Sequence, residues 1–121
     1  MKIRSLMLAL VAVLALALTA CSAASGTEIK SGAQKMQAIL TDVKSAVDAK
    51  DAAKATTEAE EMHEAWEKFE DAVKAKDKDL YEKIEEPLGA IRAGVKVSPL
   101  DQKVLTEQIA KLDGLLAGLV K

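Results

Sequence analysis

The side chains in this sequence that could do chemistry are few, and they cluster. His63 is the single histidine, with Glu60 three residues before it, Glu67 four after and Glu70 seven after. Glu85 follows on the next apolar stretch. Carboxylates and an imidazole at helical spacing offer oxygen and nitrogen donors to a metal cation. A di-metal site between helices takes two Glu-x-x-His motifs and two further carboxylates; this chain has one such motif. At about 100° per residue, His63 lies about 60° from Trp66 and Glu70 about 40°, on one flank, while Glu60 lies about 120° away and should face solvent. The expected set is therefore a boundary cluster of His63, Glu67 and Glu70, with Glu85 from the facing helix. The competing reading is a solvated histidine with helix-stabilising neighbours.

Counting residues gives the pair Glu70 and Glu85 its geometry. From Asp77 at the intervening turn, Glu70 is seven back and Glu85 eight forward. Both then sit about 10–12 Å up their helices, and helices packed about 8–10 Å apart would let them share one cation. Carboxylates suit iron, and equally calcium or manganese, so a divalent or ferric ion is the expected ligand class. Pairing with Lys74 or Lys78 is the alternative. No Gly-rich phosphate loop, nucleophile elbow or paired Cys/His zinc pattern occurs, and no enzyme is expected.

Cys21 is the only cysteine and ends the run Leu18-Thr19-Ala20-Cys21. Lys2 and Arg4 precede an uninterrupted apolar stretch from Leu6 to Leu18. That layout is a secretory signal peptide, too short to span a bilayer, which takes ~20 apolar residues. Its last four residues resemble the lipobox of bacterial lipoproteins. The resemblance implies cleavage before Cys21, a diacylglyceryl thioether on its sulfur and, often, an acylated amino group such as a palmitate. Cys21 would then be a lasting tether, because two or more acyl chains hold stably where one does not. The alternative is an ordinary secretory peptide with a lone thiol near its cleavage site. The expected organisation is a signal peptide over 1–20, a lipidated cysteine and flexible tether over 21–30, and a helical domain over 31–121. The expected location is extracytoplasmic, on the outer membrane or the outer face of the cell membrane.

The whole chain carries 17 basic and 19 acidic residues; without Lys2 and Arg4 the balance is 15 against 19, or −4. Such a surface does not favour nucleic acid or anionic headgroups, which call for clustered Lys and Arg. Trp66, Phe69 and Tyr81 are the only aromatics, so the core is built from aliphatic side chains.

Helical periodicity runs through the remainder. Met36, Ile39, Leu40, Val43 and Val47 predict a helix over Ser31 to Val47. Ala55, Ala59, Met62, Trp66, Phe69 and Val73 predict one unbroken helix from Ala52 to Ala75. Leu80, Ile84, Leu88, Ile91 and Val95 predict a third, with Pro87 giving a kink or break around Leu80 to Gly89. Leu105, Ile109, Leu112, Leu116 and Leu119 predict a fourth. The pattern Ala-Val-x-Ala-Lys-Asp occurs at 46–51 and 72–77, placing Asp51 and Asp77 as caps of the helices that follow. Ser98 is the expected cap of the last helix, with Pro99 at its first position. Gly114 and Gly118 fall on its outer face, where the spacing is a weak signal outside lipid. Short links favour antiparallel neighbours, so the expected fold is all-α, an up-down-up-down four-helix bundle after a lipoprotein signal peptide.

Trp66-x-x-Phe69-Glu70-x-x-Val73 followed by Asp77-x-x-Leu80-Tyr81-x-x-Ile84-Glu85-x-x-Leu88 resembles the helical extracytoplasmic domains associated with bacterial high-affinity iron permeases. The resemblance covers about 25 residues and implies Glu70 and Glu85 as metal carboxylates, with Trp66 and Tyr81 as packing anchors. The permeases' Arg-Glu-x-x-Glu motif is absent, as is the His-x-x-Glu motif of imelysin-like iron proteins. What it implies is an accessory role, delivering or sensing metal beside a membrane transporter. The rival expectation is a structural or interaction lipoprotein that binds another envelope protein and carries no ligand.

Overall fold

The structure, a computed structural model, describes the backbone of residues 17–121 and the side chains of residues 26–121. Residues 1–16 of the expected signal peptide and the Cys21 side chain lie outside that range. Among the described residues there are five helices and no strand. They are α1 (Ala17–Asp48), α2 (Ala52–Glu67), α3 (Glu70–Lys76), α4 (Lys78–Gly94) and α5 (Gln102–Val120). None is long and apolar enough to cross a membrane.

The helices meet in a definite set of pairs. α1 packs against α2 and α5, α4 packs against α5, α3 and α2, and α3 also approaches α1 and α2; among the described residues the backbones of α1 and α4, and of α2 and α5, do not come close. One core cluster draws on all five, and no polar or charged residue is buried in it. Met62, Trp66 and Phe69 share that core with Ile84, Leu88, Leu112 and Leu116, as the apolar stripes require.

Four details differ from the sequence-based expectations. Helix α1 begins well ahead of Ser31, and residues 22–30, expected as a flexible tether, have helical backbone. The reason is visible from Ile29 onward: it is buried, and with Ala33, Met36 and Leu40 it extends the α1 stripe by one turn. Second, the expected Ala52–Ala75 helix is broken at Lys68 and Phe69. Every stripe residue from Ala55 to Val73 is still buried, but Phe69 leaves helical geometry (φ −135°, ψ 2°). Its ring lies over Gly32 of α1, where an added Cβ would stand 2.7 Å from Cγ of the phenyl group. Close approach of α1 at a glycine thus gives the ring a seat that a regular helix would not reach.

Third, Pro87 does not break α4, which is continuous from Lys78 to Gly94. Proline removes one backbone donor, yet Ile84, Pro87, Leu88 and Ile91 are all buried, and that packing holds the helix through the defect. Fourth, Asp101, not Ser98, caps α5: its carboxylate accepts from the Val104 N–H at 3.1 Å. Asp101, directly before the first helical residue Gln102, places its carboxylate on the amide of the third, and Ser98 and Pro99 remain in the loop.

The two repeated junctions cap as expected. Asp51 accepts from the Lys54 N–H and Asp77 from the Leu80 N–H, both at 3.0 Å. They are not identical turns. α1 ends with the Asp51 N–H on the Ala46 carbonyl and the Lys50 N–H on the Val47 carbonyl, while Lys50 has φ 58°. That is a Schellman closure with a lysine at the left-handed position usually held by glycine.

Candidate functional site

Three elements bring the expected site residues into one neighbourhood. α2 supplies His63, Trp66 and Glu67, α3 supplies Glu70 and Lys74, and α4 supplies Tyr81 and Glu85. Trp66 is fully buried at their junction. Its ring meets Phe69 edge-on at 5.2 Å and stacks with Tyr81 at 5.9 Å. The indole therefore has one aromatic neighbour edge-on and another stacked on it.

A buried indole N–H requires an acceptor. Glu85 provides it, with Oε1 2.5 Å from Nε1 of Trp66. The carboxylate expected to face a cation thus also serves the core's largest side chain, through one of its two oxygens. The 19-residue separation crosses the whole α3 segment, so no local spacing pointed to it.

Glu70 has the less comfortable environment. It is half-buried, and its carboxyl is pushed above the ordinary carboxylate value by burial first, then by the charges of Glu85, Asp71 and Glu67, against an opposing influence from His63. Neither expected lysine partner serves Glu70 or Glu85: Lys74 lies over the Tyr81 ring at 5.1 Å, and Lys78 pairs at 3.9 Å with Glu82. The Tyr81 hydroxyl is raised by burial, and further by Glu85 and Glu70.

His63 lies on the half-exposed edge, its Nδ1 3.7 Å from Oε1 of the exposed Glu67. That separation is an i,i+4 surface pair. The four expected metal residues Glu70, Glu85, His63 and Glu67 do not close into a centre: among the described residues, no group of three or more His, Cys, Asp or Glu side chains converges to hold a metal ion. The physical reason is that Glu85 turns toward the indole and Glu67 toward solvent.

Glu60 keeps its side chain 40% exposed, as expected, but it is not free in solvent. Its carboxylate takes Nη2 of Arg92 at 3.1 Å and Nζ of Lys96 at 3.3 Å. Hydrogen bonds from Arg92 and then Lys96 hold its carboxyl below the ordinary value. The wheel position of Glu60 on α2 is toward solvent from that helix alone, but Arg92 near the end of α4 and Lys96 just beyond it reach across the adjoining flank. Arg92 is the residue that the reading of carboxylates and histidine overlooked. As the single arginine after residue 4, it was the available signal.

Gly114 and Gly118 are exposed, with open space where a Cβ would be built. They form an outer face, as their place opposite the leucine stripe suggests. Comparison of the chain with protein-family models, with curated proteins and with solved structures found no match.

Proposed function

We infer that this is a lipid-anchored, extracytoplasmic helical protein of a bacterial envelope that acts as a structural or interaction component and not as an enzyme. The anchor reading rests on the Leu18-Thr19-Ala20-Cys21 run after a basic head and an apolar stretch. For the domain, the reading is an up-down-up-down four-helix bundle in which α2 and α3 together form one leg. The ring of neighbours α2, α1, α5 and α4, with no close backbone approach across the diagonals among the described residues, supports it.

The observation that carries the interaction reading over the metal reading is the Trp66–Glu85 hydrogen bond. It gives Oε1 of Glu85 a structural role in the core, and among the described residues no third carboxylate or imidazole converges beside it. The deciding experiment is titration of the folded protein with ferric iron, manganese and calcium, followed by calorimetry and melting. A ligand-free component shows no saturable uptake and no concentration-dependent rise in melting temperature.

A second reading has its own support. Glu70 lies beside Glu85 with its charge disfavoured, and a cation bridging the two would relieve that repulsion. In that case the protein is an accessory metal-binding or delivery protein beside a membrane transporter. Binding to the folded state alone would raise stability by about 2.7 kcal/mol at a hundredfold excess over Kd. Glu70→Gln would abolish the rise.

A further inference from the structure

Among the described residues, Val97 and Val104 are the only large hydrophobic side chains that stand exposed, at 58% and 48%. Val97 lies in the α4–α5 loop and Val104 in the first turn of α5. Between them Pro99 is exposed and Leu100 half-buried. The backbone here is fixed: the Val97 N–H donates to the Gly94 carbonyl at 3.2 Å, and the Val104 N–H to Asp101. Gln102 pins the loop to the end of α1, its Nε2 donating to the Val47 carbonyl at 2.9 Å. Beside it, Lys50, Ser98, Pro99 and Leu100 help line a cleft of ≈ 330 Å³. The result is a rigid apolar patch that the core does not use.

Charge is divided along the molecule in a matching way. Residues 44–54 and 95–104, which form this end, hold five lysines and three aspartates, or +2. The rest of residues 22–121 holds ten basic against sixteen acidic residues, or −6. The three aspartates are engaged within the fold: Asp48 pairs with Lys44 at 2.8 Å, and Asp51 and Asp101 accept from backbone amides. Lys50, Lys54 and Lys103 are exposed, and among the described residues none of them forms an ion pair.

We propose that this end docks a short acidic segment of another extracytoplasmic protein. The segment's apolar side chains cover Val97 and Val104, and its carboxylates meet Lys50, Lys54 and Lys103. This deepens the interaction reading, and its orientation rests on the lipid anchor. An apolar patch with free ammonium groups around it complements a chain that mixes apolar and acidic side chains, and charge of that sign steers the encounter. Three lysines and four apolar residues fall well short of the about 20–30 residues a side that a stable globular interface takes. A short segment fits that size. Position excludes the protein's own bilayer as occupant. Asp48 at the end of α1 is 27 residues from Cys21 on the same helix, about 40 Å along its axis, so an acylated Cys21 holds the patch away from the headgroups. A second copy standing beside it on that bilayer would bring lysines against lysines.

The test uses the full-length protein, purified in lipidated form and reconstituted in phosphatidylcholine vesicles. An environment-sensitive fluorophore is placed at Ser98→Cys or, near the other end of α5, at Gly118→Cys, where a Cβ meets open space. The alkylated Cys21 does not compete for the label. The probe is the synthetic peptide acetyl-Glu-Leu-Glu-Val-Glu-Leu-Glu-amide, with its lysine-for-glutamate counterpart as control. The acidic peptide should shift the residue-98 label saturably and leave the residue-118 label unmoved, and the lysine peptide should do neither. Val97→Ser combined with Val104→Ser should weaken binding about tenfold while melting as the parent does. Lys50→Glu combined with Lys103→Glu should abolish it, and added salt should weaken it in the parent. No saturable shift at residue 98 overturns the docking, while co-flotation with an acylated Cys21 leaves the anchor standing. A shift at residue 118 alone overturns it and moves the interaction to the other end. Equal response to both peptides overturns the acidic specificity. Quenching of the residue-98 label by nitroxide lipid once phosphatidylglycerol is added overturns it in favour of a membrane surface. Energy transfer between residue-98 labels on different copies overturns it in favour of a second copy. Saturable binding by protein whose Cys21 is unmodified removes the anchor and the orientation but upholds the docking surface.

Discussion

Glu70 and Glu85, on the two arms of the α3–α4 hairpin, have opposite fates. Glu85 accepts the Trp66 N–H, while Glu70 is desolvated beside like charges. A carboxyl whose folded-state pKa is raised binds a proton more readily folded than unfolded. Its contribution favours the folded state at low pH and is lost as pH rises from about 4.5 through the raised value. Glu70→Gln should therefore raise the melting temperature at neutral pH, and the gain should vanish below pH 4.5, a profile read by melting the two proteins across pH. Glu60 acts in the other direction. Its carboxyl is lowered by Arg92 and Lys96, so its contribution is present above the ordinary carboxylate value and fades as pH falls through the lowered one. The Trp66 contact can be separated from the charge by comparing two changes at Glu85. Glu85→Ala leaves a buried N–H without an acceptor and should cost about 1–3 kcal/mol. Glu85→Gln keeps an oxygen acceptor, should cost less, and should bring the Glu70 titration, followed by NMR, back toward the ordinary value.

At the scale of elements, position along a stripe was readable and geometry between stripes was not. Ala55 to Val73 are all buried at the expected spacing, yet the helix carrying them breaks at Phe69. The break depends on Gly32, 37 residues earlier, and periodicity within one segment holds no information about a seat on another. Gly32→Ala should push the Phe69 ring off α1 and cost about 1–3 kcal/mol, measured by denaturant unfolding. The caps at Asp51 and Asp77 were readable because an N-cap is a local interaction over three residues. Asp101 displaced Ser98 for the same local reason. Glu60 with Arg92 was not readable, because 32 residues and a helix crossing separate them. The Schellman turn offers an element-scale gain: Lys50 holds φ 58° without being glycine. Lys50→Gly should stabilise the domain by up to about 1 kcal/mol. The equivalent Lys76→Gly, in a turn without positive φ, should destabilise α3.

Over the whole molecule, one core cluster draws side chains from all five helices. A domain of this size with a single core unfolds as a unit, and Trp66 is its largest wholly buried side chain. Trp66→Ala should remove about 3–5 kcal/mol from a total of about 5–15, with helical and aromatic circular dichroism lost in one transition. The anchor should be independent of that transition. Core burial begins at Ile29 among the described side chains, downstream of Cys21, so no core contact from Ile29 onward requires the thiol or its lipid. Cys21→Ser is accordingly expected to move the protein out of the processed membrane fraction without altering the melting temperature of its folded domain. Normal processing and unchanged membrane retention in that variant would defeat the lipid-anchor reading. A shifted melting temperature would instead tie residue 21 to the fold.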